Sequence, residues 1–381
     1  MDPRTVRVRA RLATAGAVAL TLLLASSTLA VTWSSQVRVP FGATREGVVN
    51  GHATAAVGST VHVLAWTDSS VGYDRSTNAG TGWDTAVTIA TKTASITYTP
   101  VGIAASGDLV VAVYKSKGPG NARALLMRRS VDNGVTWDNP VKVSSYSSAD
   151  NDMGDGDVAV AGKDVYVVWT ARTTGKVYLR RSTDSGATLK PAQNIGTTAS
   201  PFISGKEGEA TVAASGKNAY IAWIPSADDK GIELLRSTDS GATWKPKQVL
   251  SSAGGSYIGP SASASGKTVL VSYNLSSGVV RVARSTNSGT SFSSSTVAPA
   301  SDSTKAYDVV IVGGQARLSL VGDLPYVWVR SSANGGGTWA ARSQAAPYGD
   351  TPNVTIAGGT TVVNFNIGAG GFSALTFAVH D

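Results

Sequence analysis

A nine-residue pattern returns six times along the 381-residue chain, and it restricts the possible folds more than any other feature. The clearest copy reads Arg236-Ser237-Thr238-Asp239-Ser240-Gly241-Ala242-Thr243-Trp244. The others begin at Ser76, Ser130, Ser182, Ser285 and Ser332, so successive serines are 54, 52, 55, 48 and 47 residues apart. A motif repeating every fifty residues or so marks an array of similar supersecondary units.

Each position of the pattern has a local task. Asp or Asn two residues after the Ser bonds backbone N–H groups further on and closes a turn. Gly four residues after the Ser supplies the positive φ of that turn. The final Trp, Leu or Phe is an apolar plug against the body of the unit. The pattern therefore predicts a hairpin tip. Six copies of a turn suit a repeat protein; six copies of a catalytic centre do not.

Around each tip the chain follows one grammar. A small-residue strand comes first, as in Ala53–Val57, Val158–Ala161 or Ala262–Ser265, then a tight Gly-containing turn. A β-branched and aromatic run follows, such as Val61–Trp66, Val165–Trp169 or Val269–Tyr273. A third strand leads into the motif and a fourth leaves it. The second strand is apolar at nearly every position, as expected for a strand covered on both faces. Four-stranded sheets set radially with small residues innermost make a β-propeller. The fold class is all-β. Seven first-and-second strand pairs stand against six motifs, which favours seven blades, with six as the alternative. The segment 36–40 is expected to pair with the C-terminal unit and close the ring of a single domain, 31–381.

The motif resembles the Asp-box, or BNR repeat, of the sialidase-like β-propellers, over about residues 37 to 345. The same box occurs in secreted lectins, sorting receptors, xyloglucan hydrolases and assembly factors, so the resemblance implies a fold and leaves function open. For a sialidase it implies three arginines gripping a carboxylate, a Tyr nucleophile polarised by a Glu, and an Asp acid/base. Arg38-Val39-Pro40 is similar to the Arg-Ile-Pro motif of that family but falls on the expected closing strand. The arginines beside the boxes recur with the repeat. A complete arginine triad cannot be assembled.

Residues 1–30 read as a secretory signal. Four arginines between Arg4 and Arg11 precede the apolar stretch Ala13–Ala25, and Thr28-Leu29-Ala30 offers a cleavage site. The expectation is a secreted monomer without a membrane span. The formal charge of +8 falls to +5 once the four Arg and one Asp of that segment are removed. No basic cluster interleaved with aromatics suggests nucleic acid. With no Cys, stability must come from a large core.

In a propeller, non-repeating residues at the loops leading into the innermost strands face one axis. They point to binding of an extracellular glycan or another surface ligand at the channel mouth. The expected ligand-binding residues are His52, Asp155, Glu207, Asp308 and Asn353, with Arg45 and Arg172 in reach. The alternatives are an exo-acting glycoside hydrolase using Glu209, Tyr307 and Asp157, or a protein-interaction scaffold. The acidic run Asp150 to Asp157 offers Asp150, Asp152 and Asp155 as oxygen ligands for Ca²⁺, although Ala161 stands where a calcium-loop Glu would be. No other cofactor is expected.

Overall fold

The computed structural model describes residues 33, 37–38, 52–67, 70–91, 93, 97–117, 123–144, 153–171, 174–198, 210–225, 231–252, 258–322, 326–369 and 372–380. These form seven antiparallel four-stranded sheets, here blades I to VII, and the chain is an all-β propeller. Blade I comprises His52–Val57, Thr60–Thr67, Ser70–Ser76 and Val87–Thr91. Blade II begins with Thr97–Ser106, blade III with Met153–Ala161, blade IV with Thr211–Ser215, blade V with Ser261–Ser265 and blade VI with Thr304–Val312. Blade VII runs outward through Asp350–Ala357, Thr360–Ala369 and Phe372–His380, and Val37–Arg38 is its outermost strand. Val37 stands opposite Phe377 and Arg38 opposite Thr376, so the N-terminal strand completes the C-terminal blade. The first strands of successive blades are neighbours, and that of blade VII lies beside that of blade I.

The second strands are apolar throughout because each is sandwiched. Val110, Ala112 and Tyr114 of blade II pack with Leu64 and Tyr73 of blade I. Val111 and Val113 point the other way, onto Val158, Val165 and Val167 of blade III. Alternation along the strand thus serves two neighbours. The core is a set of seams between blades.

The first strand has a partner on one side only, so its other row of backbone N–H groups needs acceptors. The preceding blade supplies them from side chains. Asp157 Oδ2 accepts from Val212 N at 2.9 Å, Thr211 Oγ1 from Ala262 N at 3.2 Å, Ser261 Oγ from Val309 N at 3.1 Å, and Asp308 Oδ2 from Val354 N at 3.0 Å. Further down the same strands Ser263 Oγ accepts from Ile311 N at 3.1 Å. At the foot, Ser106, Ser215 and Ser265 accept from Gly162, Gly266 and Gly313 N at 2.9–3.0 Å. The small, hydroxyl-rich inner strands are therefore a ladder of rungs from blade to blade, as well as a solution to crowding at the axis.

The repeated motif forms the expected tip. In blade IV Ser237 Oγ accepts from Gly241 N at 2.9 Å and donates to Asp239 Oδ1 at 2.7 Å, while Asp239 accepts from Thr243 N at 2.9 Å. Gly241 has φ +74° and Ser240 φ +57°. Each tip is tied to the turn between the first two strands of its own blade, as Ser240 N is to Lys217 O at 2.9 Å. All these turns therefore share one face of the disc. The arginine before the box Ser, present in blades I to V, joins blades: Arg75 donates to Asn133 O at 2.9 Å, Arg129 to Ser185 O at 3.0 Å, Arg181 to Ser240 O at 3.0 Å, and Arg284 to Gly335 O at 2.7 Å.

Candidate binding site at the channel mouth

The opposite face carries the upper ends of the first strands. Four of these strands shift register just before the channel-lining stretch, between Pro100 and Gly102, Met153 and Gly156, Ala306 and Asp308, and Asp350 and Asn353. Such bulges re-aim side chains where a strand meets a site. In blade VI the extra residue is Tyr307, since Ala306 pairs with Leu320 and Asp308 with Ser319. In blade VII the insertion holds Thr351 at φ +47°, with its N–H bonded to Asp350 Oδ1 at 2.7 Å. A left-handed, β-branched residue is strained, and it sits directly beside Asp350.

The two bulges bring Tyr307 and Asp350 together. Burial first, and then the neighbouring Asp350 carboxylate, push the pKa of the half-buried phenol up to about 12. The proton stays on the oxygen at neutral pH. Asn353, half-buried on the same strand as Asp350, presents an Oδ1 with no hydrogen-bond partner.

The other expected site residues divide by position. Asp157 is at the right height on blade III, but its carboxylate accepts from Val158 N at 2.7 Å, Thr211 Oγ1 at 2.9 Å and Val212 N at 2.9 Å. Asp308 accepts from Ser261 Oγ at 2.8 Å and Val354 N at 3.0 Å. Both aspartates join blades, a role that their sequence context did not disclose. His52 is half-buried at the head of blade I's first strand, opposite Ala65. Asp155 lies on the first strand of blade III, within its register shift. Glu207, Glu209, Arg45, Arg172, Asp150 and Asp152 lie outside the described residues. Among the described residues no three His, Asp or Glu side chains gather as a metal site. Asp350 was missed in the sequence because the bulge, two residues opposing one, cannot be counted from strand spacing.

Several of the described arginines are committed elsewhere. Arg38 is on the outermost strand of blade VII, remote in the sheet from the axis. Arg128 and Arg180 reach back to Ile89 O at 2.9 Å and Val143 O at 3.0 Å on preceding blades. Arg317, buried, donates to Thr361 Oγ1 at 2.6 Å on the next. Paired arginines thus clasp neighbouring sheets from both sides.

No known protein-family profile and no curated protein sequence matches the chain. Solved structures do. YCF48 bound to D1 peptide superposes with a TM-score of 0.51 at 12% identity, over 93% of this chain and 98% of that one. The phage phi92 endosialidase gives 0.52 at 8% identity, over 92% and 69%. The Trypanosoma rangeli sialidase in complex with sialic acid gives 0.51 at 13% identity, over 92% of this chain and 59% of that enzyme. At such identities the likeness is one of fold. In fold, this chain is a sialidase-like β-propeller built of four-stranded blades.

Proposed function

We propose that the protein is exported and binds an extracellular glycan at the channel mouth. The observation that carries this reading is the Tyr307–Asp350 couple, set by two bulges beside Asn353. An aromatic face with a carboxylate and an amide oxygen at its edge is what a sugar ring requires: C–H groups stack on the ring, and hydroxyls donate to the oxygens. Asp157, which ties blade III to blade IV, and Asp308, which ties blade VI to blades V and VII, are the struts that frame this mouth. The export signal read in residues 1–30 agrees with an extracellular ligand.

One observation favours a second reading, an exo-acting glycoside hydrolase. A tyrosine hydroxyl beside a carboxylate is a couple suited to nucleophilic attack on an anomeric carbon, with Asp350 in the place expected for Glu209. The tying of Asp157, and of the described arginines that join blades, weighs against it. A glycan array with the wild type and Tyr307→Ala tests binding, and a fluorogenic sialoside with the wild type and Tyr307→Phe tests hydrolysis. Glycan hits lost in Tyr307→Ala, without turnover, are the expected outcome. No hits and no turnover would leave a protein-interaction scaffold.

A further inference from the structure

The face opposite the mouth is electrically lopsided. The turn between the first two strands carries Gly-Lys in three successive blades: Gly162-Lys163, Gly216-Lys217 and Gly266-Lys267. The corresponding places in the other blades hold Ser59, Asp108, Gly314 and Gly359. All three lysines are exposed, and none pairs with a carboxylate among the described residues. Their glycines meet no atom within 4 Å of an added Cβ, so solvent is open above each turn.

A second, independent change falls on the same blades. In blades I and II the residue closing the box is Asp84 or Asp138, and it pairs with the box arginine: Arg75 Nε–Asp84 at 2.6 Å and Arg129 Nε–Asp138 at 2.7 Å. In blades III and IV the same position holds Lys190 and Lys245. Arg181 Nε and Arg236 Nε are accordingly buried without an acceptor. Cations replace anions on blades III and IV, where the basic turns begin, and on blade V the place is taken by the neutral Ser293, so this side of the face is more positive than that of blades I and II.

We infer that the box-bearing face of blades III to V is a docking surface for an acidic polysaccharide, a chain bearing carboxylate or sulfate on successive sugars. Single lysines on successive tips, with no pocket gathering them, fit an extended polyanion better than one small anion. The Gly-Lys turns carry no aromatic side chain, and Trp244 and Phe292 of the neighbouring boxes are half-buried plugs packed on the core, which separates this surface from a single-stranded nucleic-acid groove with its exposed stacking rings. The surface is on the other side of the disc from Tyr307 and does not depend on what binds there.

The test measures binding of the full chain to immobilised heparin and polygalacturonate across a salt series, with dextran and duplex DNA alongside. The wild type should bind an acidic polysaccharide and ignore dextran; heparin against polygalacturonate tells sulfate from carboxylate. Lys163→Gln/Lys217→Gln/Lys267→Gln should lose affinity by about tenfold or more and flatten the salt slope by about one per lysine removed. Lys217→Glu alone, at one exposed tip, should move both in the same direction. Full affinity in the triple variant would overturn the inference. So would an equal loss in Lys142→Gln/Lys176→Gln/Lys305→Gln, which removes the same charge elsewhere, or DNA binding as tight as polysaccharide binding with the same lysine dependence.

Discussion

The Tyr307 hydroxyl and the Asp350 carboxylate act on one another across the boundary between blades VI and VII, Tyr307 as the extra residue of one bulge and Asp350 at the edge of the other. Because the folded pKa, about 12, lies above the ordinary tyrosine value of 10, the protonated phenol is favoured by folding. The stabilisation is complete below pH 10 and is lost as pH rises through about 12. In an ultraviolet difference titration, the signal missing from Tyr307→Phe should be one that ionises near the upper value. Asp350→Asn should move it down. A Tyr307 that ionises near 10 would contradict the coupling.

Asp157 is predicted to act in stability. Asp157→Ala leaves Val212 N without its acceptor at the seam between blades III and IV, at a cost of roughly 2 kcal/mol. Thermal unfolding should show the loss, while glycan affinity at a temperature where the variant is folded stays at the wild-type level. Lost turnover or binding with an unchanged melting temperature would make Asp157 a functional group instead.

The box tips should mark the acid limit of the fold. Hydrogen bonds from Ser130 and Thr136 hold Asp132 down at about 2, and Asp184 and Asp239 are lowered by the equivalent bonds. For a depressed carboxylate the contribution is present above the unfolded value of 3.8 and disappears as pH falls towards the folded one. Replacing a box serine, as in Ser237→Ala, strips the buried Gly241 N–H of its acceptor and should cost about 1–2 kcal/mol. Chemical denaturation at pH 7 measures it; a neutral result would contradict the tip's role.

Asp74 has the opposite sign. It is buried opposite Val63, on the side of blade I that packs against Ala357 and Val362 of blade VII. Its Oδ2 has no hydrogen-bond partner, and burial pushes its pKa up to about 7. Stability from the protonated acid is present below 3.8 and lost as pH rises through about 7. Asp74→Asn should therefore gain melting temperature relative to the wild type at pH 8 and show a flatter profile between pH 4 and 8. Equal slopes in both proteins would rule out Asp74 as the titrating group.

The fold was legible because the repeat states it several times. Ser, Asp and Gly at fixed offsets dictate one turn, and doubly covered second strands read as unbroken apolar runs. The site was less legible. Asp157 and Asp308 look like channel-mouth acids in sequence, and only the register of adjacent blades shows their oxygens accepting Val212 and Val354 N–H groups. Asp350 escaped notice because a bulge carries it to Tyr307, and bulges leave no periodic trace. The basic turns were in plain view as Gly-Lys pairs, but their meaning required knowing that they share a face with the boxes.

The most direct test of the mouth as the functional site is the glycan-array signal of the wild type beside Tyr307→Ala and Asp157→Ala, each confirmed folded by its melting transition. The account predicts defined glycan hits that vanish in Tyr307→Ala and persist in Asp157→Ala. Hits that survive the loss of Tyr307 would contradict it.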